Sequence, residues 1–365
     1  MDRRQFMAVT TAGVALAGQV RAQTAGAAPL DGIVAGKLKG TGFGGTILVG
    51  SRGQTILRRG YGLADRAFAV PAAADTAYRI ASITKLFTST IVMRLWEAGK
   101  LDLDAPIAAY LPEYKGAAAK TVKLRQLLNH TSGIENFDKG LTSYADAAKK
   151  GVPAYQIPHT PKELMDLFAS GPLVHAPGTK FDYNNGDYVI LGQVIEAVEG
   201  APYDQIVSRD ITTPLAMSST GMAWQHAIIP RLAPGYYKDG DAPLANDLPV
   251  YAQNWYAAGG MYSTADDLLV FAHALYGGGL IPAARLAALL TPGLEEYGFG
   301  LWVSTLDVDG RKHRFAQRPG RIMGANTLLL RLLDDDVTII ILANTNLVDT
   351  DHLGFEIARA VLRAA

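Results

Sequence analysis

The run Val337-Thr338-Ile339-Ile340-Ile341-Leu342 is apolar without alternation, and it constrains the fold more than any other stretch of this chain. A strand with one wet face alternates apolar and polar side chains. One that does not alternate is covered on both faces. The covers must be helices, and residues 349–362 read as one of them, docking the C-terminus. Residues 326–333 precede the buried run across Asp334-Asp335-Asp336, and 299–306 and 312–316 flank the turn dipeptide Asp309-Gly310. At the other end, 45–50 and 54–60 are apolar runs separated by Ser51-Arg52-Gly53, a hairpin signal. Between the two ends, roughly 85–290 is helix-rich and broken by Pro and Gly loops. The expected class is therefore α+β: an antiparallel sheet from both chain ends with helices on both faces, beside an inserted helical subdomain. The sheet part covers about 40–80 and 296–365.

The N-terminus reads as a targeting segment. Asp2-Arg3-Arg4-Gln5-Phe6-Met7 resembles a twin-arginine signal, with an apolar stretch through Ala17 and a cleavage-like Val20-Arg21-Ala22. The apolar stretch is well short of the ~20 residues a membrane span needs. The expectation is a signal over 1–22, then a single domain over 23–365 in the periplasm or outside the cell, with no stable membrane span once the signal is removed. Residues 23–30 read as disordered. The chain has no cysteine, which excludes disulfides, a thiolate nucleophile and thiolate metal sites. Lys+Arg and Asp+Glu are equal at 34 each, so no net field favours nucleic acid or an anionic surface. The seven histidines form no His-Glu-x-x-His, and no metal is expected.

Ser82-Ile83-Thr84-Lys85 is the one Ser-x-x-Lys of the chain, and it opens a helical pattern. Ile83, Phe87, Ile91 and Leu95 recur every four residues, Leu86 and Met93 widen the stripe, and Gly99 reads as the stop. Residues three apart share a helix face, so Lys85 can reach the Ser82 hydroxyl. A serine attacks a carbonyl only when a base takes its proton. Lys85 can be that base if desolvation makes it neutral, or a cation otherwise. Chance supplies about one such tetrapeptide in a chain this long, so its weight depends on its company. His130 beside Ser132 invites a Ser-His reading, and no Gly-x-Ser-x-Gly elbow exists.

The company is Tyr183-Asn184-Asn185, which resembles the Tyr-x-Asn element of the penicillin-recognising serine hydrolases. Leu127-Leu128-Asn129-His130-Thr131-Ser132-Gly133, Thr213-Pro214-Leu215-Ala216-Met217, Tyr78-Arg79-Ile80-Ala81-Ser82 and the stretch from Ala258 to Leu268 are similar to connecting segments of the class C branch. That branch holds class C β-lactamases, D-alanyl-D-alanine carboxypeptidases, D-aminopeptidases and β-lactamase-like esterases. The resemblance runs from about Gly44 to the C-terminus.

It implies an acyl-enzyme at Ser82, Tyr183 as a phenol that shuttles the serine proton and then activates water, and no cofactor. It also implies that the segment around His130 is a structural turn. Asn185 would donate from its amide to Lys85 or to a substrate amide carbonyl, and Asn184 has no assigned role. The family's third element, Lys-Thr-Gly or His-x-Gly, is matched only by Arg318-Pro319-Gly320. Arg318 keeps a cation there, to depress the Tyr183 pKa or to bind a substrate carboxylate. Pro319 brings neither the hydroxyl of Thr nor an N–H. Gly320 would let substrate approach, and the amides of Ser82 and Arg321 would form the oxyanion hole. The expected function is an esterase-like or peptidase-like serine hydrolase of a small ester, amide or peptide. A D-alanyl-D-alanine carboxypeptidase, D-aminopeptidase or class C β-lactamase is the alternative within enzymes. A non-catalytic acyl-binding or sensor domain is the alternative outside them. Oligomeric state is not readable.

If the leader is read as a twin-arginine signal, changing Arg3 and Arg4 together to Lys leaves precursor in the cytoplasm. Cell fractionation checks this, and periplasmic protein at the wild-type level in the double variant would refute the route.

Overall fold

The computed structural model describes residues 27–137 and 144–364, so the expected leader over 1–22 lies outside the described residues. Six strands form the main sheet: β1 (Gly45–Ser51), β2 (Gln54–Tyr61), β3 (Trp302–Val308), β4 (Arg311–Ile322), β5 (Ala325–Leu332) and β6 (Val337–Ala343). Their order is β3-β4-β5-β6-β1-β2, with every neighbouring pair antiparallel. The two chain ends meet where β1 pairs β6, Ile47 opposite Ile341. Tight turns close two of the hairpins. Arg52 and Gly53 have φ of 49° and 74°, and Asp309 and Gly310 have 53° and 84°. Consecutive positive φ values give the turn a twist that matches right-handed strands.

The central strand β6 is covered on both faces, as its sequence requires. Ile339 and Ile341 pack with Leu30, Val34, Leu353 and Ile357, the inward faces of α1 (Ala27–Leu38) and α5 (Thr350–Ala364). Ile340 and Leu342 belong to the larger core with Leu268 and Phe271 of α4 (Ala265–Tyr276) and Phe87 of α2 (Thr84–Glu97). α1 begins inside the stretch read as disordered. Leu30, Val34 and Leu38 recur every four residues, but Gly32 and Gly36 dilute the periodicity that would have announced a helix. Among the described residues no helix is long and apolar enough to cross a membrane.

The helix-rich insertion also carries short strands that sequence periodicity does not resolve. Met261–Ser263 pairs with both Tyr78–Arg79 and Gly221–Met222. This small sheet fixes the approach to Ser82. The chain then makes a 3₁₀ turn, Ala81–Ile83, before α2, and leaves α2 through Gly99 at φ 68°. α2 is buried along nearly its whole length, packed against α3 (Asn185–Glu199) and the short helices Tyr256–Gly259 and Ala283–Leu289. Its N-terminal turn abuts β4 and β5, at the seam of the sheet and the helical part.

Ile340→Ala and Ile341→Ala empty different cores although they are adjacent in sequence. Each should cost about 2–5 kcal/mol in chemical denaturation, the usual range for a fully buried aliphatic. A near-neutral result for either one would show that its face of β6 is not a packed core.

Candidate active site

Ser82 sits in a strained turn. Ala81, the residue before it, is at φ 48°, a left-handed conformation that costs a residue with a Cβ about 1–3 kcal/mol. Gly320 of β4 lies directly against this turn. A Cβ built there would come 2.5 Å from the Ile80 carbonyl oxygen and 3.0 Å from the Ser82 nitrogen. Only glycine lets the strand run this close to the Ser82 amide. Thr327 of β5 secures the contact by donating its hydroxyl to the Ile80 carbonyl at 3.0 Å.

Lys85, one turn along, is fully buried. Its Nζ donates to the Ala258 carbonyl at 2.7 Å and to Asn185 Oδ1 at 2.8 Å, and stands 3.2 Å from Ser82 Oγ. The Asn185 amide thus presents its oxygen to Lys85, not the N–H expected from sequence, because an ammonium has only donors to offer. Asn184 is the N-cap of α3. Its Oδ1 accepts the Gly186 N–H at 2.8 Å, and its Nδ2 donates to the Ile134 carbonyl at 3.0 Å. Capping explains why a residue with no assigned chemistry sits between Tyr183 and Asn185.

Tyr183 Oη lies 2.8 Å from Ser82 Oγ and accepts from Arg318 Nη2 at 2.6 Å. Burial by itself would raise this phenol. The adjacent Arg318 and Lys85 cations outweigh burial and bring it down from 10.0 to about 8. Of the two roles the sequence left open for Arg318, the geometry serves the first. The side chain is 2% exposed and points under Ser82. Nε donates to the Ser82 carbonyl at 2.9 Å and Nη1 to Tyr297 Oη at 2.8 Å. With its donors turned inward, it does not face a substrate carboxylate.

Side chains alternate along β4, so Arg321 projects from the opposite face to Arg318. It pairs with Asp351 at 2.7 Å and Asp349 at 3.7 Å. Its side chain is therefore remote from Ser82, and only its main-chain amide belongs to the edge beside Gly320. Tyr297 and Trp302 complete the surroundings of Arg318 and were missed in the sequence. The indole stacks on Tyr183 with ring centroids 6.3 Å apart and lies 5.2 Å from the guanidinium carbon. The signal was the dense Tyr297-Gly298-Phe299-Gly300-Leu301-Trp302 stretch leading into a strand. His130, expected in a structural turn, is in one, at φ 56°. The Ser132 hydroxyl accepts the Ile134 N–H at 3.2 Å, while the His130 ring faces Asp187 at 3.0 Å.

Comparison with known proteins identifies the family and the fold. The Beta-lactamase family profile matches residues 30–362. This chain belongs to the β-lactamase family. Members of that family are serine hydrolases, and the chain has their fold. PbpX of Bacillus subtilis, whose name marks it as a candidate penicillin-binding protein, is 30% identical over 73% of this chain. The match covers 64% of that relative's own length. A penicillin-binding protein from Bacillus halodurans superposes with a TM-score of 0.75 at 26% identity, over 91% of this chain and 99% of that one. A D-stereospecific amidohydrolase from Streptomyces does so with 0.73 at 27%, over 91% and 98%.

A group that must lose a proton to act as base gives a rate that rises with pH up to its pKa. The acylation rate should therefore climb to a plateau just above pH 8, the value to which Tyr183 is lowered. Arg318→Ala removes the nearer cation and should move that limb alkaline by about one unit or more. Stopped-flow acylation across pH 6–10 checks both, and an unmoved limb would separate Arg318 from the titration.

Proposed function

We propose that this protein hydrolyses a small, uncharged ester or amide through an acyl-enzyme at Ser82. The observation that carries the reading is the position of Ser82 Oγ, 2.8 Å from the Tyr183 phenol and 3.2 Å from Lys85 Nζ. As Oγ attacks the carbonyl carbon, its proton passes to Tyr183, whose phenolate charge is held by Arg318. The carbonyl oxygen becomes an oxyanion facing the amides of Ser82 and Arg321. When the carbon–leaving-group bond breaks, Tyr183 returns the proton to the leaving atom. The phenolate form then takes a proton from water, whose oxygen attacks the acyl carbonyl, and Tyr183 hands that proton to Ser82 Oγ as the acyl C–Oγ bond breaks.

The inward turn of Arg318 and the Pro at 319 favour an uncharged substrate. A carboxypeptidase or β-lactamase anchors a substrate carboxylate at this strand edge, and here the cation is engaged with Tyr183 and Ser82. Similarity to an amidohydrolase supports amides beside esters. The twin-arginine-like leader supports a place of action outside the cytoplasm.

The test is a panel run on the protein lacking residues 1–22: neutral p-nitrophenyl esters, D-amino-acid amides, D-Ala-D-Ala peptides and nitrocefin. A lost charge-assisted hydrogen bond is worth about 1.5–3 kcal/mol, so neutral substrates should lead in kcat/KM by about tenfold or more. Ser82→Ala should abolish every activity with melting temperature kept. A lead for nitrocefin or D-Ala-D-Ala peptides would reject the uncharged class. Activity surviving in Ser82→Ala would reject the nucleophile.

A further inference from the structure

His130 and Asp187 do not touch Ser82, yet their contacts converge on the segment that carries Tyr183. The His130 carbonyl accepts the Asp182 N–H at 2.9 Å. Its ring Nδ1 faces the Asn184 N–H at 3.3 Å. The main-chain N–H groups of the residues before and after Tyr183 are thus both held by one residue. The imidazole packs against the Tyr183 ring itself, centroids 4.4 Å apart. The rings of Tyr188 and Tyr297 close around it at 5.2 Å and 5.1 Å. Asp187, in the first turn of α3, sets Oδ2 3.0 Å from Nδ1. Neither side chain has any exposure.

A buried polar pair of this kind costs desolvation that an apolar pair would not. Burial pushes the imidazole below its ordinary range, and Lys85 and Arg318 push it further. Burial pushes the carboxyl well up; the Ser132 hydroxyl and Lys85 oppose this, and Asp182 adds to it. Both shifts favour the uncharged forms. Asp187 Oδ2 and the Asn184 N–H both face Nδ1. The pair adds no third cation beside Tyr183, so the field on the phenol comes from Lys85 and Arg318. What it supplies is position. Tyr183 is only half-buried, and its side chain could otherwise swing away from Ser82 toward solvent.

We propose that His130 and Asp187 are positioning residues for the reaction, a buried hydrogen-bonded clamp that holds the Tyr183 phenol between Ser82 Oγ and Arg318. This rests on the reading of Tyr183 as the proton carrier, and the two are separable by experiment. The probe is a fluorophosphonate, which labels the serine without knowledge of the natural substrate. Its saturating labelling rate reports the proton-transfer geometry, and its half-saturating concentration reports binding. An ångström of misplacement can cost about 10²-fold. Asp187→Ala should therefore label about 10–100-fold more slowly at an unchanged half-saturating concentration, well below its melting temperature. Asp187→Asn restores a polar partner to Nδ1 and should recover to within about threefold of wild type. His130→Asn tolerates the left-handed backbone, removes the ring, and should be as slow as Asp187→Ala. It carries the test alone if Asp187→Ala does not fold.

Tyr183→Phe is measured alongside. If it labels at the wild-type rate, the reading of Tyr183 fails and the clamp falls with it. If it is slow while Asp187→Ala and His130→Asn keep the wild-type rate, only the clamp is overturned, whatever happens to their melting temperatures. A loss confined to the half-saturating concentration overturns it as well.

Discussion

Two buried cations facing one phenol are the constraint around which this molecule is built. A guanidinium or ammonium taken out of water costs several kcal/mol unless hydrogen bonds and opposite charge compensate. Arg318 has no carboxylate partner among the described ion pairs. It is satisfied by the Ser82 carbonyl, Tyr297, Tyr183 and the indole face of Trp302. The negative charge that would offset it best is the Tyr183 phenolate, which is why a phenol that burial alone would keep protonated comes down to about 8. The electrostatic deficit of the resting site and the lowered pKa of the phenol are one property.

That arrangement dictates the architecture. Lys85 comes from the start of α2, Tyr183 and Asn185 from the start of α3, and Arg318 from the open side of β4. Trp302 pairs with Gln317 at the last step of the β3–β4 ladder, so residues 318–322 pair only with β5 and leave their other edge without a strand. Pro319 is tolerated because this stretch of strand has such an edge. Had β3 run on, the ladder would have covered Arg318, Gly320 and the Arg321 amide together. Aromatic packing by Tyr297 and Trp302 substitutes for that missing strand.

Much of this was legible in the sequence, and the illegible part has a physical pattern. β6 announced its burial by composition, and the hairpins announced themselves by turn residues. Ser82, Lys85 and Tyr183 stood out as residue types at informative spacings. β4 was read only to residue 316, because Pro319 and Gly320 are breakers inside a strand, yet it continues to Ile322. The orientation of the Asn185 amide, the Ala258 carbonyl under Lys85, and the roles of Tyr297 and Trp302 are tertiary contacts that no local spacing encodes. His130 and Asp187 are 57 residues apart in the chain. A turn motif explained the histidine well enough on its own that nothing prompted a search for its partner.

The arginine in the third element has one last consequence. A histidine at that place would lose its charge near neutral pH, and a buried lysine could be driven neutral by desolvation. Either would make the field on the tyrosine itself depend on pH. Arginine does not deprotonate in the accessible range. The cation stays on at every pH: burial alone would lower its pKa, but Tyr183, Tyr297 and Tyr188 around it outweigh burial and raise it. Ionisation of Tyr183 is then coupled to Lys85 and Ser82 but not to the loss of its principal counter-charge. The same rigid planar group also ties β4 to the Ser82 carbonyl, so the residue that sets the electrostatics of the phenol holds the Ser82 turn against the sheet. Charge and geometry at this site cannot be varied independently.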